Sequence, residues 1–231
     1  MTYRALLSLA LLSSVPASAA ERVLGVGSFT RLRISGSYNA RVTPGSPRVR
    51  VSGDRDAIEA IDAHVDGDTL ILRPTGNGDW GERPATRSAP VVVTITTPSL
   101  VNLSLIGGGK IAVTRMAGPQ VTLSLTGTGA IAVNGSQSDQ LDARLIGTGT
   151  LTIAGRTASA RFLTNGPGTI VADKLDAGDV VVRLDGLGST TASARYTAAV
   201  TNTGLGSVVI AGNAKCTVKA DAGGPVRCGS R

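Results

Sequence analysis

The amino-acid sequence predicts an all-β fold: a parallel β-helix, or solenoid, with coils of about 20 residues and a small β-rich cap at the N-terminal end. Three observations predict it. Gly-x-Gly pairs recur at Gly107/Gly109, Gly127/Gly129, Gly147/Gly149, Gly166/Gly168, Gly186/Gly188 and Gly204/Gly206, and their first members are 20, 20, 19, 20 and 18 residues apart. Apolar residues alternate with polar ones on both sides of each pair, as Leu123 and Leu125 do before one and Ile131 and Val133 after it, the period of a strand with one face buried. Aromatic residues make up only 3% of the chain against 30 glycines, so the core is filled by thin layers of Val, Ile, Leu, Thr and Ala, which suits stacked strands.

From the N-terminus, Arg4, the apolar run "ALLSLALLSSV" and the small residues Ala17, Ser18 and Ala19 read as a signal peptide over residues 1–19. The run is too short to cross a bilayer comfortably, and no later stretch approaches the roughly 20 apolar residues of a membrane helix. No integral membrane segment is therefore expected after cleavage.

A single domain, 20–231, follows, and its first part, 20–100, reads as the cap and first strands. "FTRLRISGSYNARVTPGSPRVRVSGD" gives three short strands separated by Gly/Pro turns. "DRDAIEAI" is a short helix capped by Asp54, and "HVDGDTLILRP" a hairpin built on Asp66-Gly67. Residues 74–90 form a polar loop with the one tryptophan, Trp80, before "VVVTITTPSL" resumes a strand.

Residues 101–231 carry the repeats. Each copy supplies two short strands and two corners, one at Gly-x-Gly, where glycine tolerates positive φ, and one near Gly118, Gly135, Gly155, Gly178 or Gly212. An antiparallel meander with hairpins at the glycines would also fit. The coil is favoured because like residues recur at like positions, and stacking rewards identical neighbours. A last, degenerate copy, "KADAGGPVRCG", surrounds Gly223 and Gly224, and Cys216 and Cys228 in an oxidising compartment pair as a disulfide closing the C-terminal end.

Without Arg4, 22 basic side chains face 16 acidic ones, and the excess lies in residues 101–231, 12 against 7. Such a balance suits salt-screened attraction to anionic glycans, and it equally serves plain solubility. No basic run or aromatic platform points to nucleic acid.

The search for chemistry finds little. His64, the only histidine, lies beside the hairpin with no elbow serine and reads as a surface strand residue. "GGGKIAV" around Lys110 lacks phosphate-loop spacing, and the glycine copies lack the Asp of calcium-binding β-rolls, so no cofactor or metal is expected. A polysaccharide hydrolase would draw on Asp142, Asp173, Asp176, Asp179, Asp185 and Asp221. Only Asp185 and Asp221 align, two coils or roughly 10 Å apart, at the limit for a glycosidase pair. Asp173, Asp176 and Asp179 cluster in a corner and read as turn formers. A polar ladder, Thr126, Asn165, Asp185 and Thr203, precedes the first glycine of its copies, with Ile106 and Ile146 interrupting. Facing outward it lines a groove for sugar hydroxyls; facing inward it caps the corner.

Two stretches, "FTRLRISGSYNARVTPGSPRVRVSGDRDAIEAIDAHVDGDTLILRP" and "PVVVTITTPSLVNLSLIGGGKIAV" with the copies after it, resemble the auto-transporter adhesin head GIN domain family over about residues 28–214. The resemblance implies a right-handed parallel β-helix and an envelope or surface location in a Gram-negative bacterium, periplasmic or extracellular, and it supplies no catalytic motif. The expected function is a non-enzymatic exported module whose partner is an anionic glycan or an envelope protein. The alternatives are a carbohydrate-active enzyme on anionic polysaccharide and a structural protein that self-associates.

Overall fold

The computed structural model describes residues 20–75 and 91–229. The expected signal peptide, Trp80 and most of its loop (76–90), and residues 230–231 lie outside them. The elements are β1 (Ala20–Leu24), β2 (Arg31–Ser35), β3 (Asn39–Pro44), β4 (Arg48–Gly53), α1 (Arg55–Glu59), β5 (Ile61–Asp66), β6 (Thr69–Pro74), β7 (Val92–Thr97), β8 (Asn102–Ile106) and β9 (Lys110–Val113). Longer, bent strands follow as β10 (Met116–Gly127), β11 (Ala130–Gly147), β12 (Thr150–Asn165), β13 (Thr169–Asp185) and β14 (Ser189–Asn202), then β15 (Ser207–Ala211), β16 (Lys215–Ala220) and β17 (Val226–Cys228).

The repeats stack as a parallel solenoid. Leu123 pairs with Leu103 and Ala143, Gly127 with Gly147, and Ile131 with Ile111 and Leu151, so each residue lies against its counterpart one copy away. Neighbouring segments run the same way, which removes the antiparallel meander.

Each coil has three sides where the sequence reading allowed two. A first side precedes the Gly-x-Gly corner and a second follows it. A third, short side comes from 116–118, 136–138, 155–157 and 175–177. Its inward residues, Met116, Ser136, Thr157, Leu175 and Ala177, share no apolar consensus, which hid it from a periodicity argument. Irregular repeat lengths are absorbed at the entry to this side and, between β13 and β14, also at its exit. The register shifts between Val133 and Ser136 against β12, where the 19-residue copy lacks one residue.

The core is one continuous apolar column. Leu103, Leu123, Ala143, Phe162, Val182 and Val200 form one of its inward rows, each no more than 2% exposed. Small and large residues interleave along it, with Phe162 against Ala143, giving dense packing.

The N-terminal region both caps the stack and builds coils of it. As the sequence predicts, Asp54 caps α1, accepting from the amides of Asp56 and Ala57, and β5 and β6 form a hairpin around Gly67. On the first side β2 lies between β6 and β8, and on the second side β3 lies between β7 and β9, all parallel. Residues 31–44 thus form a coil inserted between two coils that come later in the chain. Beyond it the pattern turns antiparallel, with β4 on β7, β1 on β4 and β5 on β6.

At the other end β16 closes the first side on β14 and β17 closes the second on β15. Cys216 stands in register with Ala198 and Cys228 with Ile210. Their disulfide, with Cα atoms 6.3 Å apart, spans the end of the core as its last layer.

Candidate functional site

The Gly-x-Gly corners are structural. Gly107, Gly127, Gly147, Gly166 and Gly186 take positive φ. Gly109, Gly129, Gly149, Gly168, Gly188 and Gly206 are buried beneath the corner, and Gly204 packs on Gly186. A Cβ on Gly129 would lie 2.6 Å from the carbonyl oxygen of Gly109. The corners therefore set the distance between coils and leave no room for a ligand inside.

The polar ladder faces outward. Thr126, Ile146, Asn165 and Asp185 are consecutive partners on the first side, and Thr203 extends the column by donating its hydroxyl to Asp185. Thr126, Asn165 and Thr203 are exposed, as are Ile106 and Ile146, so the row is a mixed ridge, and the inward reading of the sequence is excluded. The buried polar residue at this corner is Asn202. Its amide donates to the carbonyl of Gly206 at 2.8 Å and its side-chain oxygen accepts from the Gly204 N–H at 3.1 Å. Sequence reasoning passed over Asn202 because it stands in an inward row held by Leu105, Leu125, Leu145 and Leu184, with the buried Thr164 its other polar member.

The carboxylates do not make an acid–base pair. Asp185 is tied to Arg183 at 2.9 Å, and the Thr203 hydroxyl, followed by Arg183, holds its carboxyl below the usual carboxylate value. A general acid needs the opposite shift. Asp221 lies near Lys219, Asp142 between Arg144 and Arg161, and Asp179 accepts from Thr197. Asp176, read as a turn former, instead joins two arginines. His64 contacts Asp62, which also binds Arg73 at 2.9 Å, a surface cluster on the β5–β6 hairpin.

The arrangement with most chemical potential lies on the third side, which the sequence reading missed. An open groove of about 560 Å³ runs across it, floored by small residues such as Gly118, Thr157 and Ala158 and walled by Arg115, Arg156 and Arg195. Each guanidinium is held. Arg115 donates to the side-chain oxygen of Gln137 at 3.1 Å, while Arg156 and Arg195 place their Nε atoms 3.1 and 3.0 Å from the two oxygens of Asp176. Tyr196, 63% exposed, follows the groove-lining Arg195 and has its ring centroid 5.2 Å from the Arg195 guanidinium carbon. The signal for this site is positional. Ala117, Gln137, Arg156 and Asp176 occupy one outward column, visible only when the copies are aligned along the short side.

Among the described residues no group of His, Cys, Asp and Glu could hold a metal ion, and no helix is long and apolar enough to cross a membrane.

Three kinds of comparison bear on the chain. The family model described as "Putative auto-transporter adhesin, head GIN domain" matches residues 28–214. No curated protein matches. Among solved structures, a "putative adhesin" from Bacteroides fragilis superposes with a TM-score of 0.83 at 20% identity, covering 91% of this chain and 97% of its own. A "putative lipid binding protein" from Parabacteroides distasonis gives 0.72 at 18% identity over 92% and 97%. A "putative adhesin" from Parabacteroides merdae gives 0.68 at 15% identity over 94% and 95%. At these identities the likeness is one of fold.

Proposed function

We propose, on the premise that the chain belongs to the "Putative auto-transporter adhesin, head GIN domain" family, that it is an exported, non-enzymatic interaction module of the bacterial cell envelope. The observation that carries this reading is the rigid comb of outward side chains. Successive coils repeat at about 4.8 Å, and each side presents in-register columns of polar and apolar side chains to an extended partner. The ion-paired, readily ionised state of Asp185 weighs against the alternative of a carbohydrate-active enzyme. The disulfide suits an oxidising compartment, and the signal-like segment over 1–19 supports export.

The test uses residues 20–231 with the disulfide formed, on an array of neutral and acidic glycans and against purified envelope fractions. Saturable binding without release of reducing ends is expected. Bond cleavage that disappears in Asp185→Asn, or the absence of binding to every glycan and every envelope fraction, overturns the reading.

A further inference from the structure

We infer that the groove of the third side binds an acidic polysaccharide, its carboxylates or sulfates meeting Arg115, Arg156 and Arg195 while a sugar ring rests on Tyr196. The inference rests on the interaction-module reading and specifies its ligand. It stands on geometry. Arg156 and Arg195 converge on Asp176 through their Nε atoms at 3.1 and 3.0 Å, so the terminal nitrogens of both forks remain to engage an oxyanion end-on. Gln137 fixes Arg115 through a neutral oxygen and cancels none of its charge. Three guanidinium groups therefore face the carboxylates of Asp139 and Asp176, an excess of positive charge.

The groove also has the shape for a chain-like ligand. Arg115, Arg156 and Arg195 belong to alternate coils, so their backbone attachments span four coil steps, roughly 19 Å along the stack. The floor of Gly118, Thr157 and Ala158 lets a polymer approach the sheet closely. A largely exposed tyrosine is unusual in a chain with 3% aromatic residues, and its position next to the groove-lining Arg195 matches the apolar face of a pyranose. A single aromatic provides no run of stacking platforms for successive nucleobases, which sets an acidic glycan ahead of single-stranded nucleic acid.

Calorimetric titration with a defined oligogalacturonate and with a sulfated oligosaccharide separates carboxylate from sulfate recognition; a neutral oligoglucan, polyglutamate and single-stranded DNA serve as competitors. Salt-sensitive binding to at least one acidic oligosaccharide is expected. Arg156→Gln and Arg195→Gln should each weaken it about tenfold, the scale of one charged hydrogen-bond pair. Arg156→Lys and Arg195→Lys should fail to restore it, because the fork is lost while the charge stays. Tyr196→Ala should weaken binding several-fold with an unchanged salt slope, and Arg144→Gln on the first side should leave it intact. Lysine variants that bind as well as the parent, or equal competition by polyglutamate or DNA, reduce the site to general charge and overturn the inference. Binding confined to neutral glycans or to envelope protein overturns it too while leaving the module reading standing.

Discussion

Gly129 and Thr128 are adjacent and should tolerate change very differently. Thr128 is the exposed tip of its corner, whereas a Cβ on Gly129 would meet the Gly109 carbonyl at 2.6 Å and Leu105 Cδ2 at 2.8 Å. Gly129→Ala should cost about 1–3 kcal/mol through overpacking, and Thr128→Ala within about 0.5 kcal/mol, measured by denaturant unfolding. A second residue-scale outcome concerns pH. Asp185 has a lowered pKa in the fold, so its contribution is fully present above its ordinary value of 3.8 and fades as pH falls through the folded value. Thr203→Val removes the principal cause of the shift. It should lower the melting temperature at pH 7, and the gap should close as the solution is taken well below pH 3.8. The sequence disclosed the second glycines of each pair because steric demand leaves only one residue type. It did not disclose which way Asp185 and Thr203 point, since polar residues beside a corner are compatible with either side of the wall.

The two ends of the stack show which elements need help. β16 and β17 each lie against a single neighbour, and their joint hold on the core is the Cys216–Cys228 bond. Replacing both cysteines with alanine should remove about 3 kcal/mol of stability by the loop-entropy estimate. Hydrogen exchange should show the loss first in β16 and β17, while β11 and β12, flanked on both edges, keep their protection. Elements defined by strong local signals were legible: the Asp54-capped helix, the Gly67 hairpin and the alternating strands around each glycine pair. The third side was not. It is three residues long in each coil, too short to establish a period, and its inward positions range from Met116 to Ser136 and Ala177. With it went the groove, whose arginines belong to separate copies and align only once that side is recognised.

As a whole molecule the stack must avoid growing by addition of another copy. The outermost first-side strand at the C-terminal end, β16, carries exposed Lys215 and Lys219, charges of the kind that discourage edge pairing. The parent chain should remain monomeric in light scattering, and Lys215→Val/Lys219→Val should shift it toward concentration-dependent larger species. This weighs against the self-associating alternative. Fold class was readable at this scale because repetition multiplies a weak signal. The order of the coils was not, because nothing local to residues 31–44 says that the chain will later return on both sides of them. That inserted coil has a consequence in time. Strands β2 and β3 lie early in the chain, yet β6 to β9 supply both of their neighbours, so the coil of residues 31–44 must wait, open-edged, until residue 113 has reached the place where the protein folds. Only from there onward can winding proceed turn upon turn as each new length of polypeptide arrives.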